Sequence, residues 1–436
     1  MSKNPANLHL LIVSQDVIDG HMAGPGVRYL EMARSLSSLL HVSLAVPSGS
    51  DPKIDGVQFF CYAGDKKLIK AASLAADIVL VSGAMVWQFP FLFTSRARVV
   101  VDLYDPILLE NLYYHGDKSR DIQGKLNAVE VETLNLLAQL GDYFICGSER
   151  QRDLWMGVLA ANERINPVTI ENDQDLRGLI DVVGMGLPAR APEGKLFLRG
   201  QHAAVPSDAR IVLWGGGIWN WLDPLTLIHA WKSVLIQIPQ ARLIFLGTRH
   251  PNPAVPQHQM ATEAVKLAEN IGELGKSILF FEWLSIQERE ALLCEADLGV
   301  VCQPKSLEAR YALRTRVLDY FWARLPVVTS SGDVLSEVVS DYGVGRVVPP
   351  GDADALAKAL IETLSEPKGH WREAFDVLHT RYSWERQVRP LLNFCLQGGY
   401  AADRQVRKRP LALSWGGRVM RVMRRLTQRL KPGDGS

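Results

Sequence analysis

No uninterrupted apolar run in this chain approaches the roughly 20 residues needed to span a bilayer, so no transmembrane helix is expected. Cysteine is scarce. Five among 436 residues, Cys61, Cys146, Cys294, Cys302 and Cys395, are widely scattered with no CxxC pair. An odd, dispersed set lying in apolar patterns describes small buried hydrophobes, neither a disulfide framework nor a zinc site. A reduced, cytoplasmic protein is expected, and the apolar part of the opening MSKNPANLHLLIV is too short and wrongly flanked for a signal peptide. Net charge is also nearly absent, at +1, but unevenly distributed. Of 48 basic and 47 acidic residues, ten basic and one acidic lie between Arg404 and Ser436, leaving 38 against 46 in the remainder. An acidic body argues against general nucleic-acid binding, and the basic tail is a separate feature.

What is present is enough for two or three domains, with 47% hydrophobic and 22% charged residues, as in soluble globular proteins. The first half alternates short apolar runs (8–13, 42–46, 57–61, 78–81, 99–102, 143–146) with helical spacing at 27–39 and 127–139. After a polar linker at 188–207 the alternation restarts. Strands are expected at 210–214, 242–246, 278–281, 296–301, 327–329 and 344–348, and helices at 223–236, 259–271, 286–295 and 353–364. Strands alternating with helices imply parallel, doubly wound sheets. The expected architecture is α/β, two Rossmann-like domains with the strand C-termini of both sheets facing one cleft.

Three loops should meet there. Residues 304–326, PKSLEARYALRTRVLDYFWARLP, place Glu308, Arg310, Arg314 and Arg316 in a loop and first turn. Charge then gives way to Val317, Leu318, Tyr320, Phe321 and Trp322. A merely solvated helix would keep its charges along one side. Three arginines and a glutamate at a sheet edge suit an anionic ligand that also carries hydroxyls, such as a nucleotide-sugar. Gly215, Gly216 and Gly217, followed by Trp219 and Trp221, leave the first strand of the second domain, where a backbone free of side chains allows close approach of a diphosphate. Gly24 and Gly26 play the same part in the first domain, at a helix N-terminus with free N–H groups. His21 and His115 are read as surface or packing residues. Two Asp-x-Asp pairs, Asp173/Asp175 and Asp352/Asp354, sit where turns and caps favour aspartate, so no metal site is expected.

The chain resembles family 4 glycosyltransferases of the GT-B fold. The resemblance rests on AGPGVRYLEMARSL (23–36), LDYFWARLPVV (318–328), VGRVVPPGDADALAKAL (344–360) and YSWE (382–385), and covers the chain to about residue 397. It implies transfer of a sugar from a nucleotide-sugar with retention of configuration, without a metal or other cofactor. The donor would bind the second domain, and a saccharide or lipid-linked acceptor the first. On that reading Arg314 and Arg316, with Arg310 third, hold the pyrophosphate, because arginine's planar fork suits phosphate oxygens. Glu308 stands for the first glutamate of the family's pair, Asp319 for the second, with ribose as its partner, and Asp102 or Asp105 meets sugar hydroxyls where the family commonly has a histidine. Two departures stand out. Glu308 fits its place only with a three-residue insertion, and Trp219 to Asp223 replace the usual Arg and Lys after the glycines.

The expected domains are 1–190 for the acceptor, 205–380 for the donor, 381–400 as a crossing helix and 404–436 as a basic amphipathic tail. In that tail Trp415, Val419, Val422, Met423, Leu426 and Leu430 share one helical face, with Arg418, Arg421, Arg424, Arg425 and Arg429 largely opposite. Such a pattern suits an anionic membrane surface, here the inner face of the cell membrane, or equally an acidic patch of the body. The expected role is surface polysaccharide or glycolipid synthesis. The rivals are a catalytically silent subunit of the same fold that binds or activates a partner, and a nucleotide-sugar epimerase. A phosphorylase would need pyridoxal phosphate on a lysine, and Lys305 alone lies near the motif.

Overall fold

A computed structural model describes residues 8–19, 22–49, 51–171, 173–249, 258–367, 369–405 and 407. The first sheet contains β1 (His9–Val13), β2 (His41–Val46), β3 (Val57–Cys61), β4 (Ile78–Ser82), β5 (Arg98–Asp102), β6 (Tyr143–Cys146) and β7 (Ile180–Val182), ordered β3-β2-β1-β4-β5-β6-β7. The second contains β8 (Arg210–Trp214), β9 (Ala241–Phe245), β10 (Ile278–Phe280), β11 (Leu298–Val301), β12 (Val327–Ser330) and β13 (Gly345–Val348), ordered β10-β9-β8-β11-β12-β13. Every pairing is parallel. Helices cover both faces, so inner strands such as β6 and β11 are buried throughout and read as continuous apolar runs. Each sheet winds outward in both directions from its first strand. The reversal between β1 and β4, and again between β8 and β11, opens a crevice at the strand C-termini.

Two elements carry too little period to be read from the sequence. β7 has three residues. The helix Val334–Tyr342 is announced only by its N-cap: the Asp333 carboxylate accepts from the N–H groups of Leu335 and Ser336, and Gly343 closes the helix at φ +62°. The final helix breaks into Trp384–Gln387 and Arg389–Gln397 beside Pro390.

The last helices return to the first sheet. Phe394 stacks on Tyr143 with ring centroids 4.3 Å apart. The Arg98 guanidinium donates to the carbonyls of Phe394 (3.2 Å) and Cys395 (3.0 Å). Asp403 pairs with buried Arg164 at 2.8 Å, and Arg404 and Arg407 both reach Asp142, at 2.6 and 3.0 Å. The first arginines of the basic stretch therefore dock on the protein body, which corrects the expectation that the amphipathic tail starts at Arg404. The rest of that expected helix, 408–431, lies outside the described residues, as does His21.

One buried ion pair ties the first domain together at its C-terminal edge. Arg28, on the helix Gly24–Leu36, donates through Nε and Nη2 to the Asp102 carboxylate at 2.7 and 3.1 Å, with both side chains fully buried. Its remaining donors reach the carbonyls of Val183 (2.8 Å) and Gly184 (3.0 Å), and its plane lies 4.5 Å over the Tyr104 ring. Asp102 is thus withdrawn from the cleft and does not serve the acceptor contact expected of it. Removing one partner of such a pair leaves a buried charge. Arg28→Ala should cost about 3–5 kcal/mol in denaturant unfolding, and a midpoint unchanged from wild type would deny the strut.

Candidate active site

β8 ends on fully buried Trp214, and the chain leaves the sheet through Gly215, Gly216 and Gly217, which pack against the helix Thr315–Trp322 before the helix Pro224–Gln237 begins. A Cβ on Gly215 would sit 3.0 Å from the Tyr320 ring, and one on Gly217 would sit 2.8 Å from the Trp219 indole. Close packing against aromatic rings, as much as room for a ligand, requires glycine here. The Tyr320 hydroxyl accepts from the Gly215 N–H at 2.8 Å and faces the carbonyls of Leu213 (2.9 Å) and Val300 (3.1 Å), pinning β8 to β11 at the switch point. Arg316 lies under the same loop. It donates to the Gly217 carbonyl at 2.8 Å, and its guanidinium sits 5.1 Å over the Trp214 ring. Burial pushes its pKa down to about 10, so it remains a cation at neutral pH.

The opposite wall follows β11. Arg314 donates both Nη groups to the Glu308 carboxylate (2.8 and 2.6 Å) and Nε to Gln303 (2.5 Å). Gln303 in turn donates to Asp333 at 2.5 Å. Glu308, Gln303 and Asp333 are wholly buried, and Arg314 nearly so. Burial raises the Asp333 pKa, against the opposing pull of Arg314 and its hydrogen bonds. The two residues expected to act separately, Glu308 as an acid and Arg314 as a phosphate clamp, are therefore locked to each other. Arg314 has no free fork for phosphate, which corrects that expectation. Arg310 is exposed over the Tyr311 ring (5.7 Å). Asp319, partly exposed at the rim, is ion-paired with Arg289, and burial ahead of that pairing raises its pKa.

The first domain closes over this wall. The helix Ile107–Tyr114 packs on the helix Leu307–Tyr311. Gln151 donates to the Tyr311 carbonyl (2.9 Å), and Arg150 to the Gly332 carbonyl (3.0 Å) and to Glu337. Tyr114 meets His258 edge-on at 5.3 Å, and His258 in turn abuts Trp219, itself stacked on Trp221. Asp105 and Glu110 lie on this side of the cleft. Burial first, then the Asp102 charge, pushes Asp105 up to about 7. Burial, then Asp105 and Glu308, pushes Glu110 well above the usual carboxylate range against the pull of Arg314. Neither carboxyl has a hydrogen bond or ion pair among the described residues.

The fold thus gathers Gly215–Gly217 with Arg316 on one wall, Glu308 with Arg314 on the other, and Asp105 opposite, with Arg310 and Asp319 at the rim. Gly26 has a local reason to be glycine, since a Cβ there would lie 2.8 Å from the Val17 carbonyl oxygen, whereas Gly24 faces open space. Asp173 and Asp352 accept backbone N–H groups from Gly178 (2.6 Å) and Ala355 (2.9 Å), the turn and cap read from sequence. Sequence reasoning missed Gln303, Asp333 and Glu110. Asp333 could have been found as a cap before an apolar run, and Glu110 as the lone charge in ILLENLYY.

The Glu308–Arg314 lock can be measured. Glu308→Leu and Arg314→Met should each destabilise by about 3–5 kcal/mol, while the double replacement Glu308→Leu/Arg314→Met costs less than the sum of the singles. A double-mutant cycle in urea with strictly additive losses would show that the pair is not a unit.

Residues 209–366, which contain the second sheet and both of its site walls, match the family model for glycosyl transferases group 1. Among curated proteins no sequence matches the chain. Solved structures share its two-domain fold. Sucrose-phosphate synthase from Thermosynechococcus elongatus superposes with a TM-score of 0.60 at 15% identity, covering 88% of this chain and 97% of that one. The Anabaena protein HepE, in complex with UDP and glucose, gives 0.61 at 15% identity, with 89% and 100% covered. WaaG, a glycosyltransferase involved in lipopolysaccharide biosynthesis, gives 0.58 at 14% identity, with 89% and 100% covered. The architecture is the GT-B fold, and its second half carries a glycosyltransferase domain.

Proposed function

We propose that this transferase moves a sugar from a nucleotide-sugar to a saccharide or lipid-linked acceptor, with retention of configuration and without a metal, in surface polysaccharide or glycolipid synthesis. The observation that carries the reading is the crevice between β8 and β11, inside the family-matched segment, where a glycine loop over a buried cation faces a fixed carboxylate. The diphosphate lies along Gly215–Gly217 with Arg316 beneath and Arg310 at the rim. As the glycosidic bond breaks, charge grows on the leaving nucleoside diphosphate, and a cation already in place lowers the barrier. Asp319, oriented by Arg289, accepts ribose hydroxyls. Glu308, held rigid by Arg314, stands behind the sugar site, and Asp105 lines the acceptor side. The use of both Asp-x-Asp pairs as turn and cap supports the metal-free reading.

Nucleotide binding tests this first. In a thermal-shift series with UDP, GDP, dTDP, CMP and ADP, one should raise Tm, since a hundredfold excess over Kd adds about 2.7 kcal/mol of stability. Arg316→Ala should then cut kcat/KM at least about tenfold, a loss of roughly 1.4 kcal/mol, and EDTA should leave wild-type activity intact. No shift with any nucleotide would overturn the reading in favour of a silent subunit, which the pairing of Arg314 and Asp319 with protein partners would then explain.

Peripheral membrane association through residues 408–431 belongs to the same proposal. Because Arg404 and Arg407 hold Asp142, the informative truncation removes 408–436 only. It should abolish salt-sensitive sedimentation with anionic vesicles and leave Tm unchanged. Exposed charges are screened over roughly 10 Å at 0.1 M salt, so binding should weaken as salt rises. Equal pelleting of both proteins would assign the anchor elsewhere.

A further inference from the structure

We propose that Glu110 is a substrate-contacting residue of the first domain, its carboxyl donating a hydrogen bond to a sugar hydroxyl held against Glu308. This deepens the reading above and rests on it. Glu110 is the only charged side chain on the helix Ile107–Tyr114, which follows the C-terminal end of β5 and packs directly on the helix that carries Glu308. An acid at a domain interface has an ordinary explanation when it finds a partner, and here its neighbours already have theirs. Arg314 is filled by Glu308 and Gln303. Asn111, the next residue, bonds Glu130 of the helix Arg120–Leu140. Arg310, on the facing helix, is exposed and lies over Tyr311. The Glu110 carboxyl has no hydrogen bond or ion pair among the described residues, although a partly buried carboxyl without one is costly.

The charges around it decide which form of the carboxyl is present. Glu308 and Arg314 face it from the second domain, and Asp105 from the start of its own segment. Arg314 is already committed to Glu308 and lies beside Asp333 as well. One cation cannot balance two further carboxylates, so ionised Glu110 would repel both Glu308 and an incoming diphosphate. Burial acts in the same direction. A protonated acid avoids that repulsion and has a single strong donor, which a sugar hydroxyl can accept. The Glu308 side chain, held by both Nη groups of Arg314, is the complementary acceptor across the cleft. The pair would grip one sugar from both domains only when the cleft is closed.

The experiment is a pH profile of transfer for wild type, Glu110→Gln and Glu110→Leu, with the donor whose nucleotide gives the thermal shift. Glutamine keeps a neutral donor of the same shape, and leucine removes it. As pH rises into the alkaline range, wild-type kcat/KM should fall as Glu110, its pKa raised by burial and the neighbouring acids, loses its proton. The Gln variant should stay within about threefold of wild type at neutral pH and lose that alkaline limb. The Leu variant should fall at least about tenfold at every pH, or roughly 1.4 kcal/mol, while its nucleotide-induced Tm shift stays unchanged, which separates lost contact from lost folding. Activity of the Leu variant equal to wild type, or an alkaline limb retained in the Gln variant, would overturn the assignment alone. Absence of transfer by the wild type would overturn it together with the reading beneath it.

Discussion

A guanidinium can be buried only where its five N–H donors and its charge are met, and that requirement organises the core of this molecule more than any other. Arg28, Arg164, Arg314 and Arg316 are all buried, and each meets it differently. Arg28 takes Asp102 and two carbonyls from the segment beyond β7, so the edge of the first sheet is clamped to its first helix. Arg164 takes Asp403 and so fastens the returning C-terminal segment. Arg314 takes Glu308 and Gln303, and Arg316 takes loop carbonyls and an aromatic face. Two of these build the scaffold, and two shape the cleft.

The cleft that results is unequal in charge. Its second-domain side holds one cation neutralised by an acid and another sheltered beneath a glycine loop, while its first-domain side presents acids whose carboxyls have no partner among the described residues. For the nucleotide-sugar donor of the proposed function, that asymmetry favours the phosphates on the Arg316 wall. The aromatic contact from Tyr114 through His258 to Trp219 spans the same gap and makes the glycine loop sensitive to how the first domain sits.

Legibility differed sharply between elements. β8, its glycines and the Asp223 cap were readable because apolar runs, a glycine triplet and Asp-Pro each have one dominant local cause. The segment 304–326 was readable as a site because its charge is concentrated where a strand ends. The partners within it were not. Arg314 looked like a phosphate ligand because a sequence shows that a charge is present and not what it faces. Asp102 failed for the same reason: Arg28 lies 74 residues away in sequence and 2.7 Å away in space.

Local sequence by itself determined the alternation of strand and helix, the two sheets, the glycine loop and the concentration of charge after β11, since these follow from periodicity, turn chemistry and burial within short windows. Only the tertiary structure decided which charges are already satisfied. It joined Glu308 to Arg314, drew Asp102 into the core and docked Arg404 on Asp142. It also left the Glu110 carboxyl without a hydrogen bond or ion pair among the described residues, beside Asp105, Glu308 and Arg314, because the energy of an ion depends on neighbours supplied by distant parts of the chain.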